Sequence, residues 1–253
     1  MFPTLQIGPL ALQTPGLLLL IGVYLGLSLT ERYALRCKMK ADPLYGLFFL
    51  VAAFGLIGAR LSFAVQNIAL FRSTPLAFIS LDPYLLDPWG GFAAGLLAGW
   101  VYGKRKKIAF LPTLDAYTPA LAVFAIALGL AHLASGHAFG APTSLPWGME
   151  LWGVRRHPSQ VYETIAASAT LFIVWRQSRK NLPAGALFLQ FVAFSAGGRL
   201  FLEAFRGDSV LVLGNVRMAQ GIAWLIMACA MILLEIIKER SDPNRIVPKQ
   251  MNG

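Results

Sequence analysis

The chain has 253 residues, of which 57% are hydrophobic and only 13% charged, with a formal net charge of +10. That balance is too apolar and too charge-poor for an ordinary soluble domain. The positive charge is spread through four separate clusters along the chain, so a nucleic-acid-binding face is excluded and no nucleic-acid partner is expected.

Seven stretches approach the roughly 20 apolar residues that a membrane helix needs: 15–31, 44–66, 88–103, 114–134, 158–175, 183–205 and 216–237. The first follows a short polar lead with no basic n-region and no A-x-A site, so it reads as a retained helix and not a cleaved signal. Arg32, Arg36, Lys38 and Lys40 follow it. The second span carries Gly55 and Gly58, which allow close helix approach, and Arg60 near its far end in GARLSF. Segment 67–87 then forms an apolar arm, with Phe71, Leu76, Phe78, Ile79 and Tyr84 suited to lie along a membrane surface. The third span opens on WGGF and closes on the run Lys104, Arg105, Lys106 and Lys107. His132 stands near the end of the fourth, and the Gly-, Pro- and Trp-rich segment 135–157 reads as a small ordered cap. The fifth span starts inside RHPSQVYE and is followed by Arg176, Arg179 and Lys180. The sixth ends in GGRLFLEAFRGD, and the seventh leads into Lys238, Arg240, Arg245 and Lys249.

All four basic clusters fall on one side of this pattern. By the positive-inside rule that side is the cytoplasm, which places the N-terminus, arm and cap outside and the C-terminus inside. The expected fold class is therefore all-α: a polytopic membrane protein with seven transmembrane helices, forming a single domain over 1–253 with an outer arm at 67–87 and an outer cap at 135–157. Continuous apolar runs exclude a β-barrel. Cys37 and Cys229 have no partner at metal-ligand spacing and cannot meet, so neither a disulfide, a metal nor a cofactor is expected.

An ionisable residue inside a span costs about 2.5–3.5 kcal/mol and marks a functional candidate. Arg60, His132, Glu163, Arg199, Glu203 and Arg206 all fall in the outer half of the predicted membrane, which points to one pocket opening outward. Arg199, Glu203 and Arg206 are spaced i, i+4 and i+7, so the pattern predicts one helix face on which Glu203 pairs with either arginine. The other arginine then offers a fork of donors suited to a lipid phosphate. Each residue also has a plainer reading: Arg60 and Arg206 snorkel to the interface, Arg199 and Glu203 form a structural pair, and His132 is a hydrogen-bonded interior histidine.

Taken in order, these residues resemble the bacterial prolipoprotein diacylglyceryl transferases. The resemblance rests on GARLSF, WGGFAAGLLAG, FLPTLDAYTPAL, LPWGMEL, RHPSQVYE, GGRLFLEAFRGDS and MAQGIAWLIM, which run over nearly the whole chain. LPWG together with HPSQ-x-YE is the specific part. It implies a multi-pass protein of the bacterial plasma membrane, with phosphatidylglycerol as donor and a prolipoprotein signal peptide as acceptor. A diacylglyceryl group passes to the lipobox cysteine thiol and glycerol phosphate leaves, without a cofactor.

The same resemblance places Arg199 on an essential arginine and Gly140 on a conserved glycine. It makes Arg60, His157, Gln160, Tyr162, Glu163, Glu203 and Arg206 substrate-binding candidates alongside Gly140. The chain departs from the pattern at Trp89, where the family has a histidine, and across LGLAHLASGH, where the motif's arginine becomes Gly129, its first asparagine His132 and its glutamate His137. Pro15 and Ser195 stand where the family has tyrosines. A rebuilt site would use His132 or His137 as base, with Arg199 as the third catalytic residue and Arg60 or Arg155 replacing the lost arginine. A different acceptor or phospholipid, or phospholipid binding without catalysis, are the other readings left open.

Overall fold

A computed structural model describes residues 4–7, 10–80, 82–212 and 216–241. Arg245 and Lys249 of the last basic cluster lie outside these described residues. A short hairpin, β1 (Thr4–Ile7) and β2 (Leu10–Gln13), leads into α1 (Thr14–Arg36). Helix α2 (Asp42–Gln66) is followed by α3 (Ile68–Ser73), two 3-10 turns at Pro75–Phe78 and Pro83–Leu85, and α4 (Pro88–Lys106). Then come α5 (Phe110–Ser135), the hairpin β3 (Met149–Leu151) and β4 (Val154–Arg156), and α6 (Ser159–Gln177). Helix α7 (Ala186–Leu202) continues as a 3-10 turn through Phe205, the hairpin β5 (Leu211–Val212) and β6 (Val216–Arg217) follows, and α8 (Met218–Arg240) ends the described chain.

The chain is thus mostly helical, with short antiparallel hairpins between helices, and each of the seven predicted spans falls on a helix. Among the described residues, α1, α2, α5, α7 with its 3-10 extension, and α8 are the five helices long and apolar enough to cross a membrane. Helices α4 and α6 have 19 residues each, but the closing Lys104–Arg105–Lys106 run of α4 and the hydroxyl-rich α6 lower their hydropathy. Large apolar side chains such as Leu20, Phe49, Phe92, Phe172 and Ile232 face outward, while the buried core is built largely of alanine. Water would not tolerate that surface, whereas lipid solvates it and leaves close packing of small residues to hold the helices together. The chain is a multi-pass membrane protein.

The chain divides into two compact units, one of residues 37–113 and the other of 1–36 with 114–253. In the first, α2 and α4 pack through small residues: a Cβ on Gly91 would lie 2.9 Å from the Ala59 Cβ, and one on Gly58 would overlap Ala94. Asp87 caps α4, accepting from the N–H groups of Trp89 at 3.2 Å and Gly90 at 3.0 Å and from Ser62 Oγ at 2.5 Å. The Ser62 hydroxyl, helped by those N–H groups, holds the Asp87 carboxyl below the usual aspartate range. Arg60 reaches back to the arm, donating to the backbone carbonyls of Ser80 and, at 3.5 Å, Asp82.

In the second unit α1 meets α5 where Gly22 faces Ala127 and Gly26 faces Ala120. Asp115, buried near the start of α5, accepts from the N–H of Gly185 at 2.6 Å and of Phe188 at 2.9 Å, so a carboxylate closes the N-terminus of α7. Gly185 sits at φ 88°, a left-handed conformation that glycine adopts without strain. Asp115→Ala strips one buried and one part-buried N–H group of their acceptor, and the expected cost is about 2–3 kcal/mol. The check is the melting midpoint of the detergent-solubilised protein, with Asp115→Asn recovering part of the loss.

Candidate functional site

The C-terminal ends of α5 and α7 meet the N-terminal ends of α6 and α8 within one unit, and the cap fastens them. Residues 139–143 run between two neighbouring segments, joined by isolated bridges from Gly140 to Arg206 and from Pro142 to Arg156. On one side the Ala141 N–H donates to Phe205 O at 2.8 Å and the Gly207 N–H to Phe139 O at 2.9 Å; on the other, the His157 N–H donates to Ala141 O at 2.9 Å. Gly140 lies at the tightest point of this segment. A Cβ there would overlap the His157 carbonyl oxygen, so only glycine lets the cap approach. Ser159 and Gln160 open α6 fully buried, with Ser159 Oγ donating to Ala138 O at 2.6 Å and Gln160 Nε2 to His137 O at 3.0 Å. Half of the HPSQ motif therefore clamps the cap to the bundle.

Glu163, one turn further along α6, is the centre of a charge cluster. Its Oε1 accepts from Arg206 Nη1 at 2.6 Å and from Arg199 Nη1 at 3.3 Å, and its Oε2 lies 3.3 Å from His132 Nδ1. Arg199 Nη2 pairs with Glu203 Oε2 at 2.9 Å, and Glu203 Oε1 accepts from Ser209 Oγ at 2.7 Å. Arg206 forms a fork on Asp208, with Nε to Oδ1 at 2.9 Å and Nη2 to Oδ2 at 2.6 Å.

The cluster departs from the predicted single helix face. Helix α7 stops at Leu202, and Arg206 has an extended backbone at φ −80°, ψ 143°. Its backbone bridges Gly140 instead of continuing the helix. The cap thereby swings the Arg206 guanidinium away from Glu203, whose Oε2 it approaches only to 3.9 Å, and onto Glu163. Sequence reasoning misses Asp208, Ser209 and Arg217. Arg217, just before α8, donates from Nη1 to the carbonyl of Glu203, to Arg206 O at 2.9 Å and to Ser209 Oγ at 3.1 Å, which fixes the turn that carries the acids. Only the loop fold brings it there, since no helical spacing links it to Glu203.

Exposure ranks the cations. The Arg206 side chain is 11% exposed and Glu203 1%, whereas Arg199 is 41% exposed. Arg206 is spent on two carboxylates; Arg199 has an open side. A wall of rings adjoins the cluster, with His157 5.2 Å from Phe205, Tyr162 5.8 Å from Phe205, and the Tyr162 hydroxyl accepting from Trp147 Nε1 at 2.8 Å. His137 is exposed on the cap, and its ring makes no hydrogen bond or ion pair among the described residues. Arg60 belongs to the other unit. No group of His, Cys, Asp and Glu among the described residues is placed to hold a metal.

The model of the family described as prolipoprotein diacylglyceryl transferase matches residues 3–236. The chain belongs to that family. A phosphatidylglycerol–prolipoprotein diacylglyceryl transferase of Clostridioides difficile (strain 630) is 32% identical over 233 residues, covering 91% of this chain and 92% of its own length. Proteins of the same name from Clostridium novyi (strain NT) and Staphylococcus aureus (strain JH9) are 27% identical over 249 residues and 26% over 251, and the alignments cover 93% and 94% of this chain. Gly129 lies at a close contact between two helices. A Cβ there would lie 2.5 Å from Thr164 Oγ1 and 3.2 Å from the Thr164 nitrogen, so α5 and α6 touch where the resemblance puts an arginine. His132, one turn on, occupies the Glu163 side of that contact instead.

Proposed function

We propose that this chain is an enzyme of the bacterial plasma membrane that transfers a diacylglyceryl group from phosphatidylglycerol to the lipobox cysteine of a prolipoprotein, with no cofactor. In this reading it crosses the bilayer seven times as one integral domain, with the N-terminus, arm and cap outside and the C-terminus in the cytoplasm. Helices α4 and α6, at 19 residues, reach about 28 Å, close to the hydrocarbon thickness. The α6 hydroxyls are satisfied within the helix, Thr164 on Gln160 O at 2.8 Å, Ser168 on Thr164 O at 2.8 Å and Thr170 on Ala166 O at 2.9 Å, which lowers their cost in an apolar setting.

The observation that carries the proposal is Arg199, 41% exposed beside the nearly buried Glu203 and Arg206. Arg199 and Arg206 meet three carboxylates (Glu163, Glu203, Asp208), while Arg217 donates to backbone carbonyls and a hydroxyl, so an incoming phosphate must displace a carboxylate contact of Arg199. The Arg199–Glu163 bond at 3.3 Å is the easiest to give up, because Glu163 keeps Arg206 at 2.6 Å. Arg199 then grips the phosphate with a planar fork.

The reaction forms a bond from the cysteine sulfur to the glyceryl methylene carbon and breaks the bond from that carbon to the phosphate oxygen. The thiol proton passes to His132, whose imidazolium is held beside Glu163. The leaving glycerol phosphate gains one negative charge, which Arg199 stabilises as it develops. Glu163 thus orients the base and helps to place the anion-holding arginine. His157 and Tyr162 line the approach, Gly140 and Gln160 keep the cap closed on the bundle, and Glu203 and Arg206 hold Arg199 and Glu163 in position. His137 is the second candidate base.

Purified protein given phosphatidylglycerol labelled in its headgroup glycerol and a lipobox peptide is expected to release water-soluble glycerol phosphate, at a rate that falls to background when the peptide cysteine is replaced by serine. Release without dependence on the thiol, or release only from another phospholipid, overturns the assignment.

A further inference from the structure

The end of α6 opposite the Glu163 cluster carries a feature that transfer does not use. Phe172, Trp175, Arg176, Arg179 and Lys180 line a cavity of about 540 Å³ along one face of the helix end and the turn after it. The two guanidinium groups lie within cation–π range of rings: Arg176 is 5.9 Å from the Phe172 ring centre and Arg179 is 5.6 Å from that of Trp175. None of the three cations has an acidic partner within ion-pair distance among the described residues. Arg36, at the end of α1, adds a fourth positive charge nearby and ties the turn down through Nη1 to Ser178 O at 3.4 Å. Glu163 and Arg176 are separated by 13 residues of one helix, or about 20 Å, so the cavity and the cluster are distinct.

Topology alone accounts for basic residues at a cytoplasmic helix end, but not for a concavity in which guanidinium groups lie within cation–π range of aromatic rings with no ion-pair partner among the described residues. Such a contact orients an arginine while leaving its donors free. The rings give the cavity an apolar side next to those donors. We propose that this cavity is a second phospholipid site, taking the phosphate of an anionic lipid of the cytoplasmic leaflet on Arg176, Arg179 and Lys180, with its glycerol and upper chains against Phe172 and Trp175. The inference shares with the transferase reading only the placement of α6 across the bilayer. It requires no chemistry at Glu163.

The test uses full-length protein, delipidated in detergent and titrated with phosphatidylserine, an anionic lipid distinct from the transfer donor. Bound lipid is counted by native mass spectrometry. Wild type is expected to hold one more phosphatidylserine than Arg176→Gln/Arg179→Gln/Lys180→Gln, and each single substitution is expected to weaken that binding about fivefold. Phosphatidylcholine is expected to show no such difference, and glycerol phosphate at equal concentration is expected neither to bind nor to compete. Arg179→Lys keeps the charge but loses the planar guanidinium beside Trp175, and an intermediate loss is expected, which guards against a triple variant that does not fold. Equal phosphatidylserine retention by wild type and the single variants overturns the site, as does competition by free glycerol phosphate. Transfer by the single variants is expected to stay within twofold of wild type in detergent, so failure of this site and failure of the transferase reading show up in different measurements.

Discussion

Arg199→Ala is expected to lower kcat/KM for diacylglyceryl transfer by about 10²–10³-fold, the size of effect seen when one donor to a developing oxyanion is removed. A drop of that kind has a trivial explanation that must be separated out. Glu203 is 1% exposed and takes Arg199 Nη2 at 2.9 Å, so the single variant also strands a buried carboxylate. The double variant Arg199→Gln/Glu203→Gln removes both charges together, which is close to neutral for stability when volumes are kept. Its melting midpoint is expected to return toward wild type while transfer stays low. Recovery of transfer in the double variant would mean that Arg199 is a structural partner of Glu203 and nothing more. Arg199→Lys sharpens the distinction, because it keeps a charge for Glu203 but lacks the fork that grips phosphate; near-normal stability with at least tenfold slower transfer is expected.

The second large effect belongs to Glu163. It contacts Arg206 at 2.6 Å and Arg199 and His132 at 3.3 Å, so Glu163→Gln unties three groups at once. Loss of one partner from a largely buried ionic network costs about 3 kcal/mol, and loss of an oriented base and anion holder lowers turnover by about 10²–10⁴-fold. Both losses are expected together, measured as melting midpoint and as kcat/KM on the same preparation. A stable Glu163→Gln protein with near-normal turnover would remove Glu163 from the centre of the site.

The fold was legible because lipid imposes a simple rule: long apolar runs must be helices. The seven predicted spans fall on α1, α2 and α4–α8 with only small shifts at their ends. The hairpins were not legible, since β3–β4 and β5–β6 are two or three residues long and carry no sustained alternation. At the site, the spacing of Arg199 and Glu203 gave their contact directly, because i and i+4 are neighbours on any helix. Arg206 was misplaced on that face because the helix ends first, and what ends it is a backbone bridge to Gly140, a residue more than 60 positions earlier. Glu163 was visible as a costly charge, but its role as the hub depends on three other elements. Asp115 carries no local signal of its capping role, because Gly185 and Phe188, which donate to it, lie 70 and 73 residues further along the chain.

The most direct measurement is the intact mass of a lipobox peptide after incubation with purified protein and phosphatidylglycerol. One diacylglyceryl group added on the cysteine sulfur, matched one to one by released glycerol phosphate and nearly abolished in folded Arg199→Gln/Glu203→Gln protein, is the expected result. An unmodified peptide in the presence of folded wild-type protein, or equal modification by the double variant, contradicts the assignment of transfer to the Glu163 and Arg199 cluster.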